Sequence, residues 1–192
     1  FQPETKSEIT ALLEQLEPDL VVLASYGKIL PAEALAVPLY GSLNVHPSLL
    51  PKYRGATPIQ SAILSGEEET GVTIMTMAAA VDAGRIVLQE TAPITAHDTS
   101  VTLREKLAKR GAALLLRALP PYLAGQANLE TQDETKVTTT TKLSKEMAQI
   151  DWTQPPRLVD RQIRALQPWP GAFTYLEGKR LKILASQMKG DR

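Results

Sequence analysis

The chain has 192 residues, no cysteine, and equal numbers of acidic and basic residues, 21 of each. Its length fits one domain, or one domain and part of another, and a hydrophobic content of 43% predicts a packed core. The lack of cysteine excludes disulfides, thiol nucleophiles and cysteine metal sites, and zero net charge leaves any nucleic-acid contact to a local basic patch. We expect no membrane association, because no apolar run approaches the ~20 residues of a spanning helix and no signal peptide is visible.

The first quarter of the chain alternates helix and strand patterns. Residues 4–17 predict an amphipathic helix, whose apolar face is Ile9, Leu12, Leu13 and Leu16. The apolar run 20–24 is typical of a strand buried on both faces, as in a parallel sheet. A short helix through residues 29–35 and a strand at 41–45 follow.

The alternation continues through the middle of the chain. Residues 58–65 predict a helix and 66–71 a turn, and strands are predicted at 72–77 and 86–89. A long helix over 101–118 can be capped by Thr99 or Ser100. Strands interleaved with helices predict the α/β class, with a doubly wound sheet.

The composition changes after residue 126. Residues 127–149 are rich in threonine and charge without apolar periodicity, which is typical of a linker. Beyond it, an apolar pattern from Leu158 to Leu166 predicts a helix, and residues 172–184 predict a hairpin turning at Glu177-Gly178-Lys179. We therefore divide the chain into a first domain (1–126), a linker (127–149) and the start of a second domain (150–192).

Three polar residues could carry chemistry. Asn44 and His46 end a strand and point the same way, so an amide donor and a titratable imidazole lie together. Asp82 follows 38 residues beyond Asn44, and a carboxylate beside His46 would raise the pKa of the imidazole and orient the ring. The alternative is that His46 is a hydrogen-bonded structural residue and Asp82 an ordinary turn residue. His97 has no partner pattern and is interpreted as a solvated loop residue.

The run from Leu43 to Gln60 resembles the signature of the folate-dependent formyltransferases. Asn44 and His46 match the Asn–x–His pair of this family, and Asp82-Ala83-Gly84 matches a loop that usually ends Asp-Thr-Gly. The resemblance implies that Asn44 and protonated His46 stabilise an oxyanion, while Asp82 keeps His46 charged and helps to relay a proton. It also implies a Rossmann-like catalytic sheet followed by a small OB-like β-barrel.

The resemblance further implies a site for 10-formyltetrahydrofolate, the formyl donor, and no metal. The residues expected to contact the folate are Ile29, Leu30, Ser48, Leu49, Leu50, Pro51, Ala80 and Val81. Ile29 and Leu30 could equally be core residues. The loop before the catalytic aspartate usually reads Met-Asp-x-Gly-Leu-Asp, whereas here it is Met77-Ala78-Ala79-Ala80-Val81-Asp82. A positive φ at Ala80 would strain or reshape this loop.

Within the family, residues 53–60, residues 142–146 with 150–152, and residues 163–171 resemble the branch that formylates initiator methionyl-tRNA. That branch implies a monomer in the cytoplasm or an organelle, with tRNA and folate as partners. The family's first strand and glycine turn do not precede Phe1, so we expect a fragment that also lacks most of the second domain. Alternatives are another family member, a formyltetrahydrofolate hydrolase, or a catalytically impaired folate-binding fragment. A tRNA-contacting surface could comprise Lys136, Lys142, Lys145, Arg157, Arg161 and Arg164.

Overall fold

A computed structural model describes residues 5–188 of the chain. The described part has five α-helices and six strands, with two short 3₁₀ turns at Glu134–Lys136 and Glu146–Ala148. In chain order the elements are α1 (Lys6–Leu16), β1 (Val21–Ala24), α2 (Ala32–Ala36), β2 (Ser42–His46), α3 (Pro58–Ser65), β3 (Glu69–Thr76), β4 (Ile86–Pro93), α4 (Ser100–Leu123), α5 (Pro156–Ala165), β5 (Phe173–Leu176) and β6 (Lys179–Lys182).

The main sheet has four strands in the order β1-β2-β3-β4. β1 and β2 are parallel, while β3 is antiparallel to both of its neighbours, so the sheet is mixed. Helix α4 packs on this sheet, and its buried leucines (Leu103, Leu107 and Leu114) form the core with Leu43, Val72 and Ile74. The α/β prediction is confirmed.

Helix α4 approaches the sheet closely at Gly111. A Cβ on this residue would lie 2.8 Å from Val45 Cγ1 and 3.3 Å from Val72 Cγ1. Thr99 caps the helix by accepting a hydrogen bond from the Thr102 backbone N–H, as the sequence predicts. The long helix is therefore fixed both at its start and against the strands that carry the polar residues.

One burial prediction for the start of the chain is wrong. Helix α1 forms as predicted, with a Thr5 capping box, and Ile9, Leu12 and Leu13 of its apolar face are half-buried. Strand β1 is not buried on both faces, because Leu23 alone is buried and Val22 is 40% exposed. The physical reason is that β1 has one neighbouring strand and little packed over it. α1, β1 and Leu30 line an apolar groove of about 230 Å³.

Several element boundaries differ from the sequence prediction. β3 begins at Glu69, inside the predicted turn, because residues from Glu69 onward pair with β4, whose Pro93 lies opposite Glu69. α2 begins at Ala32 rather than at Ile29. α4 continues to Leu123 through Pro120 and Pro121, beyond the predicted end at residue 118.

The segment between the sheet and α5 lies along the first half of the chain. Glu130 forms a bridge with Ile86 of β4, and Thr139 forms a bridge with Arg54. The final elements then follow: α5 packs against α3, and β5 and β6 form the predicted hairpin. Arg164 of α5 donates to the Asp98 backbone carbonyl at 2.9 Å, which ties α5 to the start of α4. No helix among residues 5–188 is long and apolar enough to cross a membrane.

Candidate active site

The structure brings His46 and Asp82 together. His46 is the last residue of β2 and is only 4% exposed. Asp82 lies in the β3–β4 connection, which runs back along β2 until Asp82 Oδ2 is 3.6 Å from His46 Nδ1. The antiparallel pairing of β2 with β3 sets Thr76 opposite Leu43, so the connection has to return toward the end of β2 to bring Asp82 to His46.

The loop at residues 53–55 holds both members of this pair. The Tyr53 carbonyl oxygen lies 3.1 Å from His46 Nε2, and the Gly55 backbone N–H donates to Asp82 Oδ2 at 2.7 Å. The Tyr53 hydroxyl donates to Glu67 Oε1 at 2.7 Å and thereby anchors the loop on its outer side. Gly55 has φ 113°, a conformation that favours glycine, and a Cβ there would lie 2.6 Å from Thr140 Oγ1.

The protonation of His46 differs from the sequence expectation. Burial lowers the pKa of His46 below its ordinary value, and this outweighs the raising effects of Asp82 and the Tyr53 carbonyl. Asp82 raises the pKa of His46 as expected, but the net shift of this pKa is downward. Both ring nitrogens face oxygen acceptors, so a neutral ring can donate to only one of them. Burial therefore opposes the expected charge on His46, while the roles of His46 and Asp82 stay predictions.

Asn44 lies two residues before His46 on β2, so both side chains leave the same face of the strand. Asn44 is half-buried, and its side-chain amide has no hydrogen-bond partner among the described residues. An amide in this state can donate to an oxygen that enters the site. Asn44, His46 and Asp82 together thus provide a donor, a proton acceptor and a carboxylate.

The residues predicted to contact folate fall into two groups. Ile29 is 65% exposed and Val81 is 55% exposed, and Ala80 beside it is also exposed, so these three are accessible to a ligand. Leu30 is buried and lines the apolar groove next to β1. Ile29 and Leu30 follow β1 where the parallel pair β1–β2 has its carboxyl end, the edge at which α/β sheets bind ligands.

The turn after His46 is built mainly from internal contacts. The fully buried Ser48 hydroxyl donates to the Lys52 carbonyl at 2.7 Å, and Leu50 packs with Met75 and Ile86. Leu49 packs over β3 at Gly71, and Pro51 is half-buried. The side chains of Ser48 and Leu50 hold the turn, so a ligand could reach these two residues only through their backbone.

The alanine-rich loop does not have the strain that its sequence suggested. Ala80 is not among the residues with positive φ, whereas Asp82 has φ 51°. Aspartate tolerates this left-handed region better than most residues. The special backbone conformation therefore lies at the candidate catalytic residue itself.

Two buried residues near the site were missed by the sequence interpretation. Arg54 and Gln132 are both buried, and Arg54 Nε donates to Gln132 Oε1 at 3.0 Å. Gln132 lies in the segment interpreted as a linker, where its threonine-rich, charged surroundings are typical of solvent exposure. The Leu43–Gln60 signature contained Arg54, but no local pattern pointed to its partner 78 residues away.

The remaining polar predictions lie elsewhere. His97 is exposed in the loop before α4. Of the basic residues, Lys142 and Lys145 are exposed, Lys136 pairs with Asp133, the Arg161 guanidinium lies over Gly66, and Arg164 pairs with Asp160. Among residues 5–188, no group of three or more His, Cys, Asp or Glu residues could hold a metal ion.

Comparison with known proteins gives the family. The Formyl transferase family model matches residues 1–119, and the model for the formyl transferase C-terminal domain matches residues 142–192. The chain belongs to the formyl transferase family. The chain is 50% identical over 186 residues to the methionyl-tRNA formyltransferase of Listeria welshimeri, and 46% identical over 186 residues to that of Nitrosococcus oceani. Each alignment covers 95% of this chain, which spans 59% and 58% of the two relatives.

Solved structures share the fold of this chain. HypX from Aquifex aeolicus, in complex with tetrahydrofolic acid, has a TM-score of 0.81 at 23% identity. That match covers 92% of this chain and 30% of HypX. A 4-N formyltransferase from Francisella tularensis also has a TM-score of 0.81, at 21% identity, covering 98% of this chain and 78% of that one.

Proposed function

We propose that the protein carrying this chain transfers a formyl group from 10-formyltetrahydrofolate to the amino group of initiator methionyl-tRNA. The observation that carries the proposal is the pairing of His46 Nδ1 with Asp82 Oδ2 at 3.6 Å, together with an Asn44 amide that has no hydrogen-bond partner among residues 5–188. The near-50% identity to methionyl-tRNA formyltransferases over 95% of the chain supports this acceptor over other amines.

The side chains around the pair fit a folate. Ile29 and Val81 offer exposed apolar surface, which suits a flat heterocycle, and the Asn44 amide can donate to the formyl oxygen. The folate supplies a formyl group on nitrogen, which is already activated for transfer. We propose that Ile29, Ala80 and Val81 contact it through side chains and that Ser48 to Pro51 contact it through backbone.

Each polar residue then has a defined task. The acceptor amine forms a bond to the formyl carbon, the bond from that carbon to the folate nitrogen breaks, and one proton passes from amine to folate. Asn44 donates to the oxygen as negative charge develops on it. Neutral His46 takes the amine proton, and Asp82 stabilises the imidazolium that forms. His46 Nε2 must exchange the Tyr53 carbonyl for the amine to do so.

The test is formyl transfer from 10-formyltetrahydrofolate to methionyl-tRNA by the protein that carries this sequence. We expect His46→Ala to abolish transfer and Asn44→Ala to lower kcat by roughly 10²- to 10³-fold, the usual effect of losing one oxyanion donor. His97→Ala is the matched control, because His97 is exposed in a loop outside the site, and it should keep the parent rate. Unchanged transfer by Asp82→Ala would refute the catalytic assignment.

The acceptor tRNA is proposed to contact the exposed lysines of the segment before α5. Lys142 and Lys145 are exposed, whereas the Arg164 guanidinium pairs with Asp160 and donates to the Asp98 carbonyl. Charge reversal of Lys142 and Lys145 should weaken tRNA affinity and reduce its salt dependence. Charge reversal of the exposed Lys109 on α4 serves as the control. An equal loss of affinity in both variants would contradict this surface.

A further inference from the structure

Gln132 is a buried amide that joins two loops. It is 5% exposed and lies in residues 120–141, between the two matches to the family models. Its Oε1 accepts from Arg54 Nε at 3.0 Å and from Nη2 at 2.8 Å. Its Nε2 donates to the backbone carbonyls of Asp82 at 2.8 Å and Gly84 at 2.7 Å. The amide thus uses both lone pairs and both protons.

Arg54 is fixed independently of Gln132. Its backbone N–H donates to the Thr138 carbonyl at 2.9 Å, and its carbonyl accepts from Thr140 N–H at 2.8 Å. Its guanidinium also pairs with Glu134 at 2.8 Å. Arg54 lies between Tyr53, which contacts His46, and Gly55, which contacts Asp82. Because Arg54 is fixed, Gln132 can connect it to the Asp82 loop.

The Asp82 loop has few anchors of its own. Ala78, Ala79 and Ala80 offer no polar side chains, and Asp82 has the left-handed φ of 51°. Three contacts from outside the loop reach Asp82: His46 Nδ1 lies 3.6 Å from its carboxylate, the Gly55 N–H donates to its carboxylate, and the Gln132 amide donates to its carbonyl. A left-handed aspartate between Val81 and Ala83 needs such external support, because this conformation is costly when it is not held.

We propose that Gln132 is a positioning residue that fixes the Asp82 loop against the His46 loop, so that the carboxylate stays beside the imidazole. The role rests on the proposed function of that pair. It makes the segment between the two family-model matches a part of the catalytic architecture. Gln132 touches no reacting atom and acts through Asp82.

The decisive variant is Gln132→Glu. Glutamate has the same shape and still accepts from Arg54, now as an ion pair, but its carboxylate cannot donate to the carbonyls of Asp82 and Gly84. The contacts between residue 132 and Arg54 are kept, while the hydrogen bonds from residue 132 to the backbone carbonyls of Asp82 and Gly84 are lost. Gln126→Glu is the matched control, since Gln126 is exposed in the same segment and undergoes the same chemical change.

The first readout is the NMR titration of the His46 ring, which requires no activity. The chain has two histidines, so His97→Gln assigns the signals. We expect the pKa of His46 to fall in Gln132→Glu and to stay unchanged in Gln126→Glu, because displacement of Asp82 removes a charge that raises it. The added negative charge would by itself raise the pKa, so a fall reports the displacement. An unchanged or raised pKa overturns the proposal.

The second readout is kinetic, in the protein that carries transfer activity. Gln132→Glu should lower kcat by roughly 10- to 100-fold with an unchanged KM for methionyl-tRNA, because misplacement affects the chemical step. Equal kcat in Gln132→Glu and Gln126→Glu overturns the proposal. If the parent protein transfers no formyl group, the proposed function fails, while the His46 titration still decides the positioning role.

A second variant covers a failure of Gln132→Glu to fold. Arg54→Lys keeps the charge facing Glu134 but cannot donate to Gln132 Oε1 from two nitrogens. Because Gln132 is then held by fewer hydrogen bonds, the pKa of His46 should fall, but by less than in Gln132→Glu. No change in Arg54→Lys would then overturn the proposal.

Discussion

A methyl group at Gly84 would collide with the backbone of β3. An ideal Cβ on Gly84 lies 1.6 Å from the Thr76 carbonyl oxygen and 2.7 Å from the carbonyl carbon. Real Cβ atoms do not approach closer than about 3.0 Å, so the two chain segments must separate by about 1.4 Å. The atom in the way is backbone, which cannot rotate aside as a flexible side chain would.

That separation would break specific hydrogen bonds. Thr76 N–H donates to the Arg85 carbonyl at 2.9 Å, and Gln132 Nε2 donates to the Gly84 carbonyl at 2.7 Å. Two lost hydrogen bonds cost about 1 kcal/mol each, and overpacking costs about 1–3 kcal/mol. We therefore expect Gly84→Ala to lower the free energy of unfolding by about 3–5 kcal/mol.

The measurement is urea-induced unfolding of the chain followed by far-UV circular dichroism. Gly27→Ala is the matched control, because a Cβ on Gly27 meets nothing within 4 Å and its φ is not positive. The control should change stability by less than about 1 kcal/mol, in the stabilising direction if at all. If Gly84→Ala unfolded within 1 kcal/mol of Gly27→Ala, the close approach at residue 84 would not exist and the reasoning would be refuted.

Two further predictions concern ionisable groups. Burial lowers the pKa of His46 below 6.5, so the unfolded chain binds more protons between these two values. The free energy of unfolding should fall as pH drops through 6.5 and level off below the folded-state pKa. Urea unfolding between pH 8 and pH 5 should show this pH dependence in His97→Gln, and the dependence should be lost in His46→Gln. Asp98 accepts hydrogen bonds from Thr95 and Lys106, and Asp98→Ala should cost about 1–3 kcal/mol in the same assay. A loss no larger than that of an exposed Asp→Ala substitution such as Asp19→Ala would contradict this role.

The Asp98 effect has a defined pH dependence. Burial raises the pKa of Asp98, but the hydrogen bonds from Lys106 and Thr95 outweigh it, and the net pKa is lowered. Its contribution is therefore present above the ordinary value of 3.8 and is lost as pH falls toward the lower folded-state pKa. The difference in free energy of unfolding between the wild-type chain and Asp98→Ala should therefore decrease in that acid range.

The sequence by itself determined the element types and most of their order. Apolar runs predicted the strands, and Thr99 and the Glu177-Gly178 turn predicted a helix start and a hairpin, because these signals depend on residues close in sequence. Resemblance located Asn44, His46 and Asp82, since the signature is continuous and the aspartate lies at a typical distance. That His46 and Asp82 adjoin is observed, whereas their catalytic roles stay predictions.

Only the tertiary structure decided burial, protonation and the support of the site. Glu69 joins β3 because β4 lies beside it, and Val22 is exposed because nothing covers β1. The pKa of His46 is lowered because the fold buries the ring, an effect larger than that of the neighbouring Asp82. Gln132 is in polar sequence, yet it is buried because Arg54, 78 residues away, and two backbone carbonyls satisfy its amide. Such contacts depend on long-range packing, which local periodicity does not encode.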